Sequence, residues 1–422
     1  MTISTALRMG SGFLAFVVIA RFIGAEQFGL LSYWMAIAGL MALPVNYGFG
    51  MQLLREVGGN REIAPIVMTE TVVAKFALSA LVFLVAGIAC LVLAIPVAVF
   101  LLILLMFVLE SFAEHMNFLL RANAEFNIEA KITAISSLIS VLMLMGAAIA
   151  TKSLIAVCLA YVISRLCALG LGLWAVRRFW RFSLVQVCQS VKAIPRVLAR
   201  GFSYATDVAV GAVNSTLDTI LVGSILGTRA VGVYQSGMKL FQGFTSLAPI
   251  VSFVYLPELA AAKNAKDLLR LRLQANAMMR KLVLVGGVGA IALCLAPTRL
   301  VGLLYGHQYE ELAGLLPWFA LALLLRFMTA AFGVVLTALG LQAKRALVNA
   351  GSVAVLAVGI FLLAAPLGLK GVLVALSLAA FFAFSAYSLL IYRQRIGVGF
   401  GAANGLLATP VFALILYRMI FP

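Results

Sequence analysis

The sequence predicts an all-α polytopic membrane protein. The expected plan is two six-helix bundles around a central cavity plus about one extra C-terminal helix, roughly 12–14 transmembrane helices in all. Three observations carry this. The 422 residues are 64% hydrophobic and only 11% charged, where a soluble protein carries about a quarter charged residues. Apolar stretches of about twenty residues, each long enough to span a bilayer as a helix, recur along the whole chain. Finally, a short glycine pattern occurs twice, half the chain apart. Long continuous apolar runs favour helices over barrel strands, whose segments are short and alternating.

Taken in order, the expected spans are 3–22, 28–50, 66–94, 96–119, 130–150, 153–176, 201–226, 229–254, 279–304, 312–341, 346–366, 369–391 and 400–420. The first holds Arg8, and the stretch up to Phe22 resembles a signal peptide. Ala20-Arg21-Phe22 is a poor cleavage site, so the reading is a retained first helix. Lys and Arg concentrate in cytoplasmic loops. With the N-terminus inside, 21 basic residues flank the inner ends of the spans, and only Arg21, Lys152, Arg229, Arg299, Lys370 and Arg418 flank the outer ends. The bias predicts a cytoplasmic N-terminus. It also accounts for much of the +17 net charge without a nucleic-acid partner.

The repeated pattern is "ARFIGAEQFGLLSYW" from Ala20 and "GSILGTRAVGVYQSG" from Gly223. Gly24 and Gly29 in the first copy match Gly227 and Gly232 in the second, both in the outer turn between the first two helices of a half. A duplicated unit follows, with both copies in the same orientation, an arrangement known among transporters. The expected domains are a six-helix bundle over 1–176, a basic cytoplasmic linker over 177–200, a second bundle over 201–392 and an extra helix over 393–422.

Ionisable residues at mid-membrane are costly and by default mark a site or pathway. Four bases lie within spans, Lys75, Arg165, Lys239 and Arg326, two in each half. They are candidates for the cationic lining of a cavity built for an anion. The buried acids are Glu110 and Glu114, spaced i, i+4 beside His115, and Asp207 and Asp218 on the seventh helix. They are read as counter-ions to the bases or as coupling sites for a proton or cation. Asn117, Asn214, Gln235 and Gln242 are candidates for sugar contacts. Cys90, Cys158, Cys167, Cys188 and Cys294 show no metal-ligand spacing, and His115 and His307 are the only histidines. No metal, cofactor or catalytic residue is expected.

Five segments in order, "ARFIGAEQFGLLSYW", "NYGFGMQLLREVGGNR", "LDTILVGSILGTRAVGVYQSGMKL", "LLYGHQYEELAGLLPWFALALLL" and "LTALGLQAKRALVNAGS", resemble the polysaccharide-precursor flippases of the multidrug/oligosaccharidyl-lipid/polysaccharide exporter superfamily. The similarity runs over nearly the whole chain. It implies two six-helix bundles around a central cavity, and movement of undecaprenyl-diphosphate-linked sugars across a bacterial inner membrane. Asp218 matches the family's usual Asp in the seventh helix, Lys239 a frequent basic position in the eighth, and the four glycines its turns. Two departures are Asn46 and His307, where the family often has acids. Compared with the family, the N-terminus looks clipped by about ten residues.

The partners expected are the lipid-linked oligosaccharide, the membrane, and a polysaccharide polymerase with its chain-length machinery. Alternative readings are a peptidoglycan-precursor or teichoic-type flippase, a multidrug exporter of the same superfamily, and a membrane polysaccharide polymerase or ligase. Four mid-depth bases argue against cationic drugs. A polymerase would usually carry a large acidic outer loop, and the longest here, "TRLVGLLYGHQYEELAG", is short.

Overall fold

The structure is a computed structural model describing residues 2–92, 96–180, 184–394 and 402–420. Among these residues all regular structure is helical. The side chains of Arg8, Arg181 and Arg395, and the first part of the expected extra helix, lie outside what is described. The helices are α1 (Thr2–Met41), α2 (Leu43–Asn46), α3 (Phe49–Gly59), α4 (Ala64–Val92), α5 (Val97–Ala122), α6 (Phe126–Thr151), α7 (Leu154–Val176) and α8 (Leu184–Leu226). They continue with α9 (Thr228–Thr245), α10 (Ala248–Asn264), α11 (Leu268–Leu295), α12 (Pro297–Leu304), α13 (Glu310–Ala338), α14 (Gln342–Leu367), α15 (Leu369–Arg393) and α16 (Ala402–Ile420).

Eleven helices among the described residues are long and apolar enough to cross a membrane. The expectation of thirteen spans differs for a local reason. Spans one and two are the arms of α1, two helices that meet at a kink on Gly24. The last expected span appears only as a shorter apolar stretch, Ala408–Met419. Three of the expected helices are interrupted. The second ends in α2 and α3, separated by the left-handed pair Tyr47 and Gly48. The eighth divides into α9 and α10 at Ser246-Leu247, just before Pro249. The ninth divides into α11 and α12 at Ala296, whose backbone leaves the helical region ahead of Pro297. The basic stretch 177–200, expected as a linker, is helical from Leu184 onwards as the start of α8.

The chain separates into two compact units, residues 1–220 and 221–422, with the division falling within α8. In the first unit α5 is central and packs against α7, α3, α1 and α4. In the second, α13 is central and packs against α11, α15, α9, α10 and α16. α13 is apolar on nearly every face, which suits a helix buried on all sides. Both central helices come from the fourth expected span of their half.

The repeated glycines share their backbone geometry. Gly24 has φ 83° and ψ 166°, and Gly227 has φ 83° and ψ 174°. Each sits between the first two helices of its half. Only glycine adopts this region without strain. Gly29 and Gly232, five residues on, lie buried within the following helix. Gly24→Ala and Gly227→Ala are each expected to cost about 1–3 kcal/mol, read as lowered thermal unfolding temperatures of the purified protein.

Candidate functional site: two polar clefts

Each unit contains its own polar cleft beside its central helix. In the first unit a cleft of ≈ 350 Å³ is walled by α1, α5, α6 and α7. Its polar lining includes Glu110, Glu114, Asn117, Ser136, Tyr161 and Arg165. The i, i+4 spacing of Glu110 and Glu114 on α5 puts both on the cleft face. Arg165 on α7 reaches Glu110 at 3.2 Å. Arg121 at the end of α5 lies 3.4 Å from Glu114 and donates to Glu129 at 2.8 Å. The charges of this cleft are therefore compensated within the unit.

In the second unit a cleft of ≈ 410 Å³ is walled by α9, α10, α13, α14 and α15. Arg326 enters from α13, Thr337 from its last turn, Arg345 and Asn349 from α14 at i, i+4, and Tyr387 from α15. Among the described residues no carboxylate lines this cleft. Among the described residues no ion pair reaches Arg326 or Arg345. Arg345 is steered by donation from Nη1 to Thr337 Oγ1 at 2.6 Å. The Tyr387 hydroxyl donates to Asn349 Oδ1 at 2.6 Å. Two guanidinium groups with no counter-ion among the described residues give this cleft a positive lining with several N–H donors.

The two central helices also correspond in register. Glu110 stands twelve residues before the end of α5 at Ala122, and Arg326 twelve before the end of α13 at Ala338. At the helical rise that is about 18 Å from each helix end, the depth of a bilayer centre. Where one unit has a paired acid, the other has an unopposed base.

The structure distributes the remaining sequence candidates as follows. Lys75 lines neither cleft. It is buried in the first unit, donating to the Val45 carbonyl at 3.0 Å and to Ser111 Oγ at 2.6 Å, between the Phe49 and Phe112 rings. These contacts tie α4 to α5 and to the chain before the Tyr47-Gly48 break. Lys75→Ala leaves the Ser111 hydroxyl and the Val45 carbonyl without that donor and opens a void. The expected cost is about 2–4 kcal/mol in thermal stability. Thermal unfolding of the purified variant checks this.

His115, beside Glu114 in sequence, faces away from the cleft lining and meets Thr71 Oγ1 at 2.8 Å. Lys239 donates to Gln242 Oε1 at 3.3 Å, one turn along α9. Asp218 is buried on α8, its Oδ1 accepting from the Thr219 amide at 2.7 Å and the Thr219 hydroxyl at 3.2 Å. Asp207 and Asn214 are exposed on the same helix. Sequence reasoning placed Arg345 among the cytoplasmic flanks and passed over Tyr387. The available signal was Arg345-x-x-x-Asn349, one polar face at the start of an otherwise apolar helix.

A family model described as polysaccharide biosynthesis protein matches residues 18–314. No curated protein matches the chain. Among solved structures, the lipid II flippase MurJ in an inward closed conformation superposes with a TM-score of 0.71 at 12% identity, covering 100% of this chain and 99% of that one. An inward-facing multidrug resistance MATE family transporter of the MOP superfamily gives 0.68 at 14% identity, covering 92% and 94%. A MOP superfamily transporter from Pyrococcus furiosus gives 0.55 at 15% identity, covering 93% and 94%. At these identities the likeness is one of fold.

Proposed function

The chain belongs to the polysaccharide biosynthesis protein family, and from that premise we propose that it is a flippase for undecaprenyl-diphosphate-linked oligosaccharide. On this reading it works in a bacterial inner membrane with its N-terminus in the cytoplasm. The observation that carries the reading is the second-unit cleft, where Arg326 and Arg345 meet no carboxylate. An uncompensated guanidinium group at bilayer depth, as at Arg326, is costly and persists where it serves a ligand. A diphosphate supplies the matching charge and bidentate acceptors.

The physical problem is the head group. Its hydroxyls and charges cannot cross hydrocarbon, because each unpaired polar group costs several kcal/mol. Polar clefts replace water for the head while the prenyl tail stays in lipid. About two negative charges moving outward through an inside-negative potential gain roughly 2.3 kcal/mol per charge per 100 mV. Alternating access would expose the clefts to each face in turn; MATE family transporters of this fold are known in inward-facing and outward-facing conformations. A polymerase with its chain-length machinery would use the exported product.

Export of cationic drugs fits poorly, since a cation entering the second cleft meets two arginines. Deletion tests the reading in intact cells. Lipid-linked oligosaccharide is expected to accumulate in a form shielded from a membrane-impermeant oxidant such as periodate. A deletion strain that exports its glycan normally but retains cationic dyes would overturn it.

A further inference from the structure

The first-unit cleft differs from the second in what it leaves unsatisfied. Its charges are committed, Glu110 to Arg165 and Glu114 to Arg121. Three polar atoms are not. Asn117 Oδ1, Ser136 Oγ and Arg165 Nε are buried atoms without a hydrogen-bond partner, and all three residues line this cleft. Buried polar atoms are nearly always bonded, so three such atoms among the residues lining one cleft call for an explanation. The three differ in kind: an amide oxygen that accepts, a guanidinium N–H that donates, and a hydroxyl that does both.

We propose that this cleft is a recognition site for an uncharged, hydroxyl-rich glycosyl unit, a proposal that rests on the oligosaccharide reading above. Sugar hydroxyls both donate and accept, so they suit each of these three kinds of atom. Tyr161 adds an aromatic side chain to the lining. Charged ligands fit less well. An anion meets two carboxylates, and a cation must draw Glu110 or Glu114 from an arginine that already holds it. The cleft volume of ≈ 350 Å³ falls within the usual range of small-molecule pockets, about 300–1,000 Å³. The compensated cleft reads neutral sugar, and the uncompensated one holds anionic phosphate.

The test uses the full chain in nanodiscs and two probes followed by thermal shift. One probe is the oligosaccharide released by mild acid from the lipid-linked pool of the source cells. The other is inorganic pyrophosphate. Both are expected to raise the unfolding temperature of the wild type. Asn117→Leu and Ser136→Ala should each weaken the oligosaccharide effect about tenfold in half-saturating concentration, with the pyrophosphate response intact. That intact response also shows that the variants are folded. Equal protection of wild type and both variants by the oligosaccharide overturns the site. So does a wild type that responds to pyrophosphate alone, which leaves water as the partner of these atoms and the flippase reading standing. A wild type that responds to neither probe removes the flippase reading itself.

Discussion

Replacing Arg326 and Arg345 together with Gln is expected to abolish pyrophosphate binding and stop the flipping of lipid-linked oligosaccharide. Both side chains line one cleft without a carboxylate, so each variant removes a charge that only the ligand opposes. A hydrogen bond to a charged group contributes about 1.5–3 kcal/mol, so the double change should weaken binding by at least about a hundredfold. The single variants should each lose roughly tenfold or more. Gln keeps polarity and most of the volume, and removing two unopposed cations lowers the cost of the empty state. Thermal stability without ligand should therefore hold or rise. Isothermal titration with pyrophosphate, beside a flipping assay in proteoliposomes, reads both quantities. A double variant that binds pyrophosphate as the wild type does would remove the anion site from this cleft.

Gly48→Ala is expected to produce the largest loss of stability of any glycine-to-alanine change in the first unit. Gly48 has φ +72°, and a Cβ there would press on Tyr204 Cβ and stand 2.8 Å from the Tyr204 carbonyl carbon. The site is a seam between α3 and α8. Around it Phe49, Ala74 and Val197 form a buried cluster, and Arg55 Nη1 donates to the Tyr204 hydroxyl at 3.1 Å. Left-handed strain costs about 1–2 kcal/mol and overpacking about 1–3 kcal/mol, so the variant should lose about 2–5 kcal/mol in all. Gly58→Ala is the control. It lies exposed on the same α3 with nothing near its Cβ position, and should be neutral or more stable by about 0.5–1 kcal/mol. Thermal unfolding of both variants decides; similar melting temperatures would mean that α8 gives way at the seam.

Much of the fold was legible because the bilayer leaves few choices. Length, apolar runs and basic flanks identify spanning helices directly, since the backbone must bond internally in lipid. The glycine repeat was also legible, because the φ near 83° at Gly24 and Gly227 admits little else. The breaks inside helices were harder. The left-handed turn at Tyr47-Gly48 and the division at Ser246-Leu247 fall inside stretches that each read as one continuous span, 28–50 and 229–254.

The sequence by itself determined that the protein is a helical membrane protein of a polysaccharide family, and that certain bases and acids stand at depths where charge is costly. It could not say which of them meet. Lys75 and Arg326 read alike as single bases in apolar helices, yet one is tied down by Val45 and Ser111 and the other opens to a cleft. Glu110 and Arg165 are 55 residues apart in sequence and 3.2 Å apart in the fold. Arg345 looked like an inner flank and joins Arg326. The tertiary structure alone decided these pairings. Burial cost depends on each residue's own type and depth, whereas neutralisation depends on which helices pack side by side and how each is turned about its axis.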